Sequence, residues 1–520
     1  MATQSNSTAS LIDQLAEAVG AGGVRCDADH LALMSNDVYR GSSAPLAVVR
    51  PATAEALQAA VRICAAAGVS MVPRGGGASY TDGYLLAAGG HVLIDTGALD
   101  TIEIDPFNAT VTVGAGVTWA ALREALAPHG LRTPFWGPFS GLVATIGGSV
   151  SQNALSHGSG AHGISAGSVL WMDVVLASGE LMRTGASSAV RNYGPDLTGL
   201  FCGDCGALGI KAAIALPLVA IKQASADLSF AFADFAAFAE AGRLVQREGL
   251  DDEHFGLDEA LSQGQIARQD GARARLRMAA DIMRAAPGKF AGLVQLGKMG
   301  LAGSKAAAAD AFMWHFMVDG SDPVEAKARA DRLRAVLRPF GREITNSVPS
   351  YVRAMPFAAL FNILGPKGER WFPVHGVLAQ NEVAAFHTAL TALVARHQAE
   401  MDRLGVWLGT MFSPVGSTGF LYEIALYWPD ARTPFHNTVL DQAHLGSIPA
   451  YPPSPEAAAL ADQLKREMIA LYAKHGAAHF QIGRAYPYRD RLDPAALALL
   501  RAVKAALDPH GLMNPGVLGL

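Results

Sequence analysis

Pro73-Arg74-Gly75-Gly76-Gly77-Ala78-Ser79-Tyr80 is the stretch whose reading decides the fold. It follows a short apolar run at residues 69–72 that predicts a strand. Before that run lies a helix pattern, TAEALQAAVRICAAAG, with Thr53 as its N-cap and Gly68 past its end. Three consecutive glycines let the backbone take positive φ and gather successive N–H groups into one concavity. Such a nest suits a pyrophosphate, and Arg74 adds positive charge. No Gly-Lys-Ser/Thr follows, so this is not a Walker loop, and the spacing is not the G-x-G-x-x-G dinucleotide fingerprint. Taken alone, the loop reads equally well as a flexible glycine turn.

Two further stretches change that balance. Thr145-Ile146-Gly147-Gly148-Ser149-Val150-Ser151-Gln152-Asn153 and then Ser156-His157-Gly158-Ser159-Gly160 lie in a Gly/Ser/Pro/Asn-rich connection covering residues 134–168. Gly203-Asp204-Cys205-Gly206-Ala207-Leu208-Gly209-Ile210 precedes a strand, KAAIALPL. Small residues in this density let a flat ring or a pyrophosphate approach the backbone, while Ser, Thr and Asn supply neutral hydrogen-bonding groups. Three such loops beside strands are hard to explain as three independent turns. Between them HVLIDT, TIEID and ATVTVGAG read as strands, Thr118 caps a helix, and WMDVVLASGELMRT reads as a hairpin turning at Ser178-Gly179. Ser10 is read as the cap of a first helix carrying Leu11, Leu15 and Val19.

The whole chain has 520 residues, 50% of them hydrophobic and 17% charged, which provides for a large core and excludes a disordered protein. A net charge of −5 argues against nucleic-acid binding, and four cysteines exclude a disulfide-dense scaffold. The opening MATQSNSTASLIDQLAEAVG has neither a basic segment nor a cleavable apolar core, and no uncharged apolar run reaches the roughly 18–20 residues that span a bilayer. A cytoplasmic protein is expected. Near residue 220 the glycine clusters give way to Ala-rich helical patterns and two aromatic strands, RWFPVHGVLA and GFLYEIALYWP. Three segments follow: 1–220, 221–480, and a tail, 481–520, with a helix opening at Asp493-Pro494.

The RGGG loop, TIGGSVSQNA, VVLASGEL, GPDLTGLFCGDCGALGI and the terminal DPHGLMNPG resemble the flavoenzymes of the vanillyl-alcohol oxidase and p-cresol methylhydroxylase superfamily. The likeness covers about residues 43–220 and the final 30, and in the middle rests on WFPVHG. It implies an α+β protein: a two-subdomain FAD-binding domain completed by the C-terminal segment, under a mixed-sheet α+β cap. It also implies that Pro73, Arg74, Gly75, Gly76, Gly77, Ala78, Ser79 and Tyr80 hold the FAD pyrophosphate. By the same matching, Ser140, Thr145, Gly147, Gly148, Ser151 and Asn153 line the cofactor, and Gly206, Gly209 and Ile210 meet its adenine end. Many relatives carry a flavin-linking histidine where this chain has Ala78. His375 does not match the position from which other caps attach FAD, so non-covalent FAD is expected.

Oxidation of an alcohol or an activated benzylic carbon moves a hydride to the flavin and requires a group to take a proton. The resemblance points to Tyr80, at a substrate-binding tyrosine of phenol-oxidising relatives, and to Arg484 as an anion-binding residue. Gly483 stands where those relatives have a further tyrosine, and Tyr486 and Tyr488 lie nearby. Strand alternation puts Glu423 on one face with Leu421, Ala425 and Tyr427. There it is a candidate base if that face meets the cavity, or a solvated edge residue if it does not. His375 is a further candidate, or a buried histidine of the core. His157 and His162 are read as packing residues.

Cys202-x-x-Cys205 lacks a second pair, so no metal is expected. The segment 268–305 holds eight cations against two aspartates among apolar residues, and reads either as a solvated helix pair or as a surface for a membrane or an acidic redox partner. The partners expected are a small-molecule substrate and oxygen or a redox protein, with a homodimer as the assembly. The alternatives are a 2-hydroxy-acid dehydrogenase and, remotely, a non-enzymatic nucleotide-binding protein.

Overall fold

The computed structural model describes residues 2–185, 189–268, 311–357 and 360–520. Helix Ala54–Ala66 starts where Thr53 Oγ1 accepts from the Ala56 N–H, and it buries Leu57, Ala60, Val61 and Cys64. Gly68, at φ +64°, lets the chain reverse into strand Met71–Arg74. That strand begins two residues later than its sequence suggests and runs parallel to Val92–Asp95. Val92–Asp95 in turn pairs in parallel with Ala47–Val49, and Val24–Arg25 closes this four-stranded mixed sheet antiparallel. A second sheet of five antiparallel strands orders as Ile102–Asp105, Thr110–Gly114, Ile210–Pro217, Trp171–Val175 and Leu181–Arg183.

Two expectations are corrected here. The first helix runs Ala2–Val19, so Ser10 lies inside it: residues 2–9 contain no Gly or Pro to stop propagation. The glycine-rich connection is not all loop. Ile146–Gln152 is a helix, started by Thr145 Oγ1 accepting from Gly148 N and ended by Asn153 in the left-handed region.

The cap is a seven-stranded sheet ordered Arg342–Ile344, Leu228–Phe232, Phe312–Met317, Glu253–Asp258, Trp407–Val415, Gly419–Trp428 and Arg370–Ala379. Every described pair in it is antiparallel; mixed pairing, expected for the cap, belongs to the four-stranded sheet. One face carries Trp314, Phe372, Phe412, Tyr422 and Leu426, packed against helices Phe235–Glu248, Pro323–Leu337, Val383–Leu404 and Pro455–Lys474. Each such side chain contributes roughly 1.5–3 kcal/mol by burial. The other face carries Phe255, Leu257, Ala425 and Tyr427, and meets Trp136 and Phe139 from the connection before Thr145. This second face positions the site.

Helix Pro494–Leu507, capped by Asp493, lays Val503 and Leu507 on the five-stranded unit, and Met513 enters the core of the four-stranded one. The tail thus returns across both sheets that flank the glycine loops. Of the basic segment 268–305 only Arg268, ending helix Glu259–Arg268, is described; the surface read there lies outside the described residues. Among the described residues no helix is long and apolar enough to cross a membrane.

Candidate cofactor and substrate site

The three glycine-rich stretches meet around one open cavity, whose empty space together with the solvent at its mouth is about 850 Å³. Its lining includes Pro73 through Ser79, Ser140, Thr145, Gly147, Gly148, Ser151, Gly206, Gly209 and Ile210. The glycines act in different ways. Gly77 alone of the triplet has positive φ, at +70°, and its carbonyl accepts from the Tyr84 hydroxyl at 3.0 Å. Gly76 is required by close approach: a methyl there would overlap the Val143 carbonyl. A methyl on Gly147 would sit 2.6 Å from Ala115 Cβ. The loops therefore pack directly on one another and leave their polar edges to the cavity.

Charge is placed asymmetrically. Arg74 is buried, its guanidinium lies 5.2 Å from the centre of the Tyr84 ring, and its Nε has no partner. Lys211, which also lines the cavity, is neutralised by Asp204, which in addition accepts from the N–H groups of Gly206 and Leu208. One buried, incompletely partnered cation within a backbone cradle fits a pyrophosphate.

Two expected lining residues stand elsewhere. Asn153 is the left-handed C-cap of helix Ile146–Gln152, φ +51°, and packs under Gly203. Tyr80 points past the loop to the cap. Lining residues that the sequence reading did not assign include Gln152, Cys205, Lys211 and Gln481. A lone lysine in an apolar strand was a usable signal; Gln481 gave none.

On the cap face, strand pairing sets His375 directly across from Glu423. The Tyr80 ring lies edge-on to both Trp371 and His375, each at 5.9 Å between centroids. Strand Gly419–Trp428 has a partner on each side, so Glu423 is not at an edge. Its carboxylate has no hydrogen-bond or ion-pair partner among the described residues, and burial pushes its pKa up to about 7. Burial first, then the neighbouring Glu423 and Tyr486, holds the Tyr80 phenol well above its usual pKa, so Tyr80 stays protonated. His375 is fully buried and stacked 3.9 Å from Phe480, with neither ring nitrogen partnered. Burial keeps it neutral.

Arg484 departs from its expected place. Its Nη1 donates to the carbonyls of Asp82 (2.8 Å) and Gly83 (3.2 Å), and its Nη2 to Asn514 Oδ1 (2.7 Å) and the Pro515 carbonyl (2.8 Å). A guanidinium so engaged ties the tail to the turn after the glycine loop. Arg484→Ala is therefore expected to lower thermal stability by roughly 2–4 kcal/mol, because it leaves buried acceptors unpaired. FAD occupancy should fall with it, while the remaining holoprotein reduces at the normal rate in stopped flow.

Cys205 Sγ accepts from Gly483 N at 3.4 Å, and burial pushes its pKa up to about 12, so it is an inert thiol. No group of side chains that could hold a metal occurs among the described residues. His157 joins the two units: its Nδ1 is 2.6 Å from Glu253 Oε1, its Nε2 2.7 Å from the Pro356 carbonyl, and its ring stacks on Trp136. His162 is exposed.

Comparison with known proteins places two spans of the chain in known families. Residues 45–185 match the FAD binding domain family, and residues 470–518 match the C-terminal domain of FAD linked oxidases. A solved structure of p-cresol methylhydroxylase with substrate bound superposes with a TM-score of 0.70 at 18% identity, covering 99% of this chain and 97% of that one. The chain thus carries an FAD binding domain and the C-terminal domain of FAD linked oxidases, and over nearly its whole length it has the fold of p-cresol methylhydroxylase. FAD is the cofactor of this flavoprotein. The glycolate oxidase subunit GlcD of Bacillus subtilis is 33% identical over 198 residues, which is 38% of this chain and 42% of that protein. The flavoprotein thus matches well under half of that relative's length. An alkyldihydroxyacetonephosphate synthase also superposes, with a TM-score of 0.69 at 16% identity, covering 97% of this chain and 85% of that one. A fold that hosts a synthase as well as a methylhydroxylase does not by itself fix the reaction.

Proposed function

We propose that the flavoprotein oxidises an alcohol or an activated benzylic carbon of a small organic substrate. The observation that carries this reading is the unpartnered Glu423 carboxylate beside Tyr80, on the cap face adjoining the glycine-loop cavity. Ser79 lines that cavity and Tyr80 follows it in the chain; Gln481 lines it too and contacts the Tyr80 hydroxyl. In this reading the Gly75–Gly77 backbone and Arg74 hold the FAD pyrophosphate, and Thr145, Gly147 and Ser151 line the cofactor's flank.

Bound FAD supplies a two-electron acceptor for the hydride. The chain's own groups do the rest. Glu423 takes the hydroxyl proton at its carboxylate oxygen, and its raised pKa suits a base working near neutral pH. Tyr80, held protonated, orients the substrate oxygen through its hydroxyl. His375, neutral and packed on Phe480, shapes the wall. Trp371 and Phe139 exclude water from the reacting centre. Oxygen or a redox protein takes the electrons onward, and a homodimer is the assembly in this proposal. Alanine at position 78 cannot form a histidyl link to the flavin ring, so acid precipitation should release the yellow colour into the supernatant; colour kept in the pellet would place a covalent link on another residue.

The second reading, oxidation of a 2-hydroxy acid, draws support from the similarity to the glycolate oxidase subunit. An anaerobic panel of alcohols, alkylphenols and hydroxy acids separates the two, because bleaching of the flavin reports substrate oxidation without assuming an acceptor.

A further inference from the structure

The charge of the substrate follows from what surrounds Glu423. The titratable groups that interact with it or face it are Tyr80, Tyr486, Tyr472 and His375, all uncharged at neutral pH, and its cross-strand neighbour on the other side is Met411. No described cation acts on it. Four cations of the described residues around the cap and the cofactor cavity are engaged elsewhere. Arg484 is spent on four oxygens of the tail and the 82–83 turn. Arg353 is doubly paired with Asp227 and Asp319. Lys465 sits on the opposite face of the sheet, 3.9 Å from the centre of the Tyr39 ring. Arg74 lies inside the cofactor cavity.

Among the described residues, a 2-hydroxy acid would bring its carboxylate into this wall with no cation to meet it and with an ionised Glu423 close by. Two like charges at that range in a partly dry site depress binding by roughly 10–10²-fold. An aromatic or apolar body with a neutral hydroxyl meets no such cost and gains contact with Trp371 and Tyr80. We infer that this site takes substrates without an anionic group, and that Glu423 is the specificity-determining residue that turns hydroxy-acid anions away. The inference rests on the proposed reading of the cap face as the substrate wall.

The test uses two non-reacting molecules of one shape, benzamide and benzoate, titrated into the FAD-loaded full-length protein at mildly alkaline pH while the flavin absorption is followed. Benzamide should perturb the flavin spectrum and bind at least about 10-fold tighter than benzoate. In Glu423→Gln the benzoate constant should tighten by about 10-fold while benzamide changes little. Equal binding of the two by the wild type, or a ratio unmoved by the substitution, overturns the charge inference and leaves the substrate wall standing. Failure of benzamide itself to perturb a fully loaded flavin overturns the substrate wall, and the inference with it.

Discussion

Glu423→Gln is expected to slow reduction of the bound flavin by an alcohol about 10²–10⁴-fold, the range for loss of a positioned general base. FAD content should be unchanged, because Glu423 does not line the cofactor cavity. The wild-type rate should rise as pH passes through about 7, as Glu423 loses its proton. The variant's profile should be flat there, since Tyr80, Tyr486, Tyr472 and His375 keep one protonation state through that range. Stability supplies the control. The folded state holds the Glu423 proton more tightly than the unfolded chain, so the Glu423 contribution to stability falls as pH rises from about 4.5 to about 7 and is level above that. The glutamine variant escapes this loss and should be at least as stable as the wild type under alkaline conditions. A slow variant that is also unstable would mean Glu423 holds the sheet together, and the base role would pass from it.

Gly76→Ala is expected to abolish FAD retention altogether. The added methyl would overlap the Val143 carbonyl, and backbone cannot swing aside as a flexible side chain can. The loop must then part from the connection preceding Thr145, costing upward of about 3 kcal/mol and opening the cradle. Purified protein should be colourless, with a lowered melting temperature that excess FAD does not restore. Gly22→Ala is the matched control: nothing lies within 4 Å of its added methyl, and it should retain full yellow colour.

The glycine-lined cavity was legible because its signal is compositional. Glycine density at Gly75–Gly77, Gly147-Gly148 and Gly206–Gly209 marks close backbone approach wherever it occurs, and the resemblance supplied the order of the three loops. Helix Ile146–Gln152 was not legible, because two glycines near its start erase helix propensity. Alternation placed Glu423 on the correct face of its strand. Its meeting with His375 depends on the register of two strands 48 residues apart, which no local pattern states. Arg484 was misplaced for a related reason: whether a guanidinium finds a substrate or a backbone carbonyl depends on where Asp82 and Pro515 come to rest. The His157–Glu253 clamp joins residues from the two units and was read only as packing.

The most direct test of the account is anaerobic mixing of the FAD-loaded protein with a neutral aromatic alcohol, such as benzyl alcohol or a 4-alkylphenol, beside D-lactate and glycolate. The flavin's long-wavelength band is expected to disappear with the neutral substrates, more slowly in Glu423→Gln, and to change little or not at all with the two acids. Rapid bleaching by glycolate or D-lactate, with none by the neutral alcohols, would contradict the proposed function.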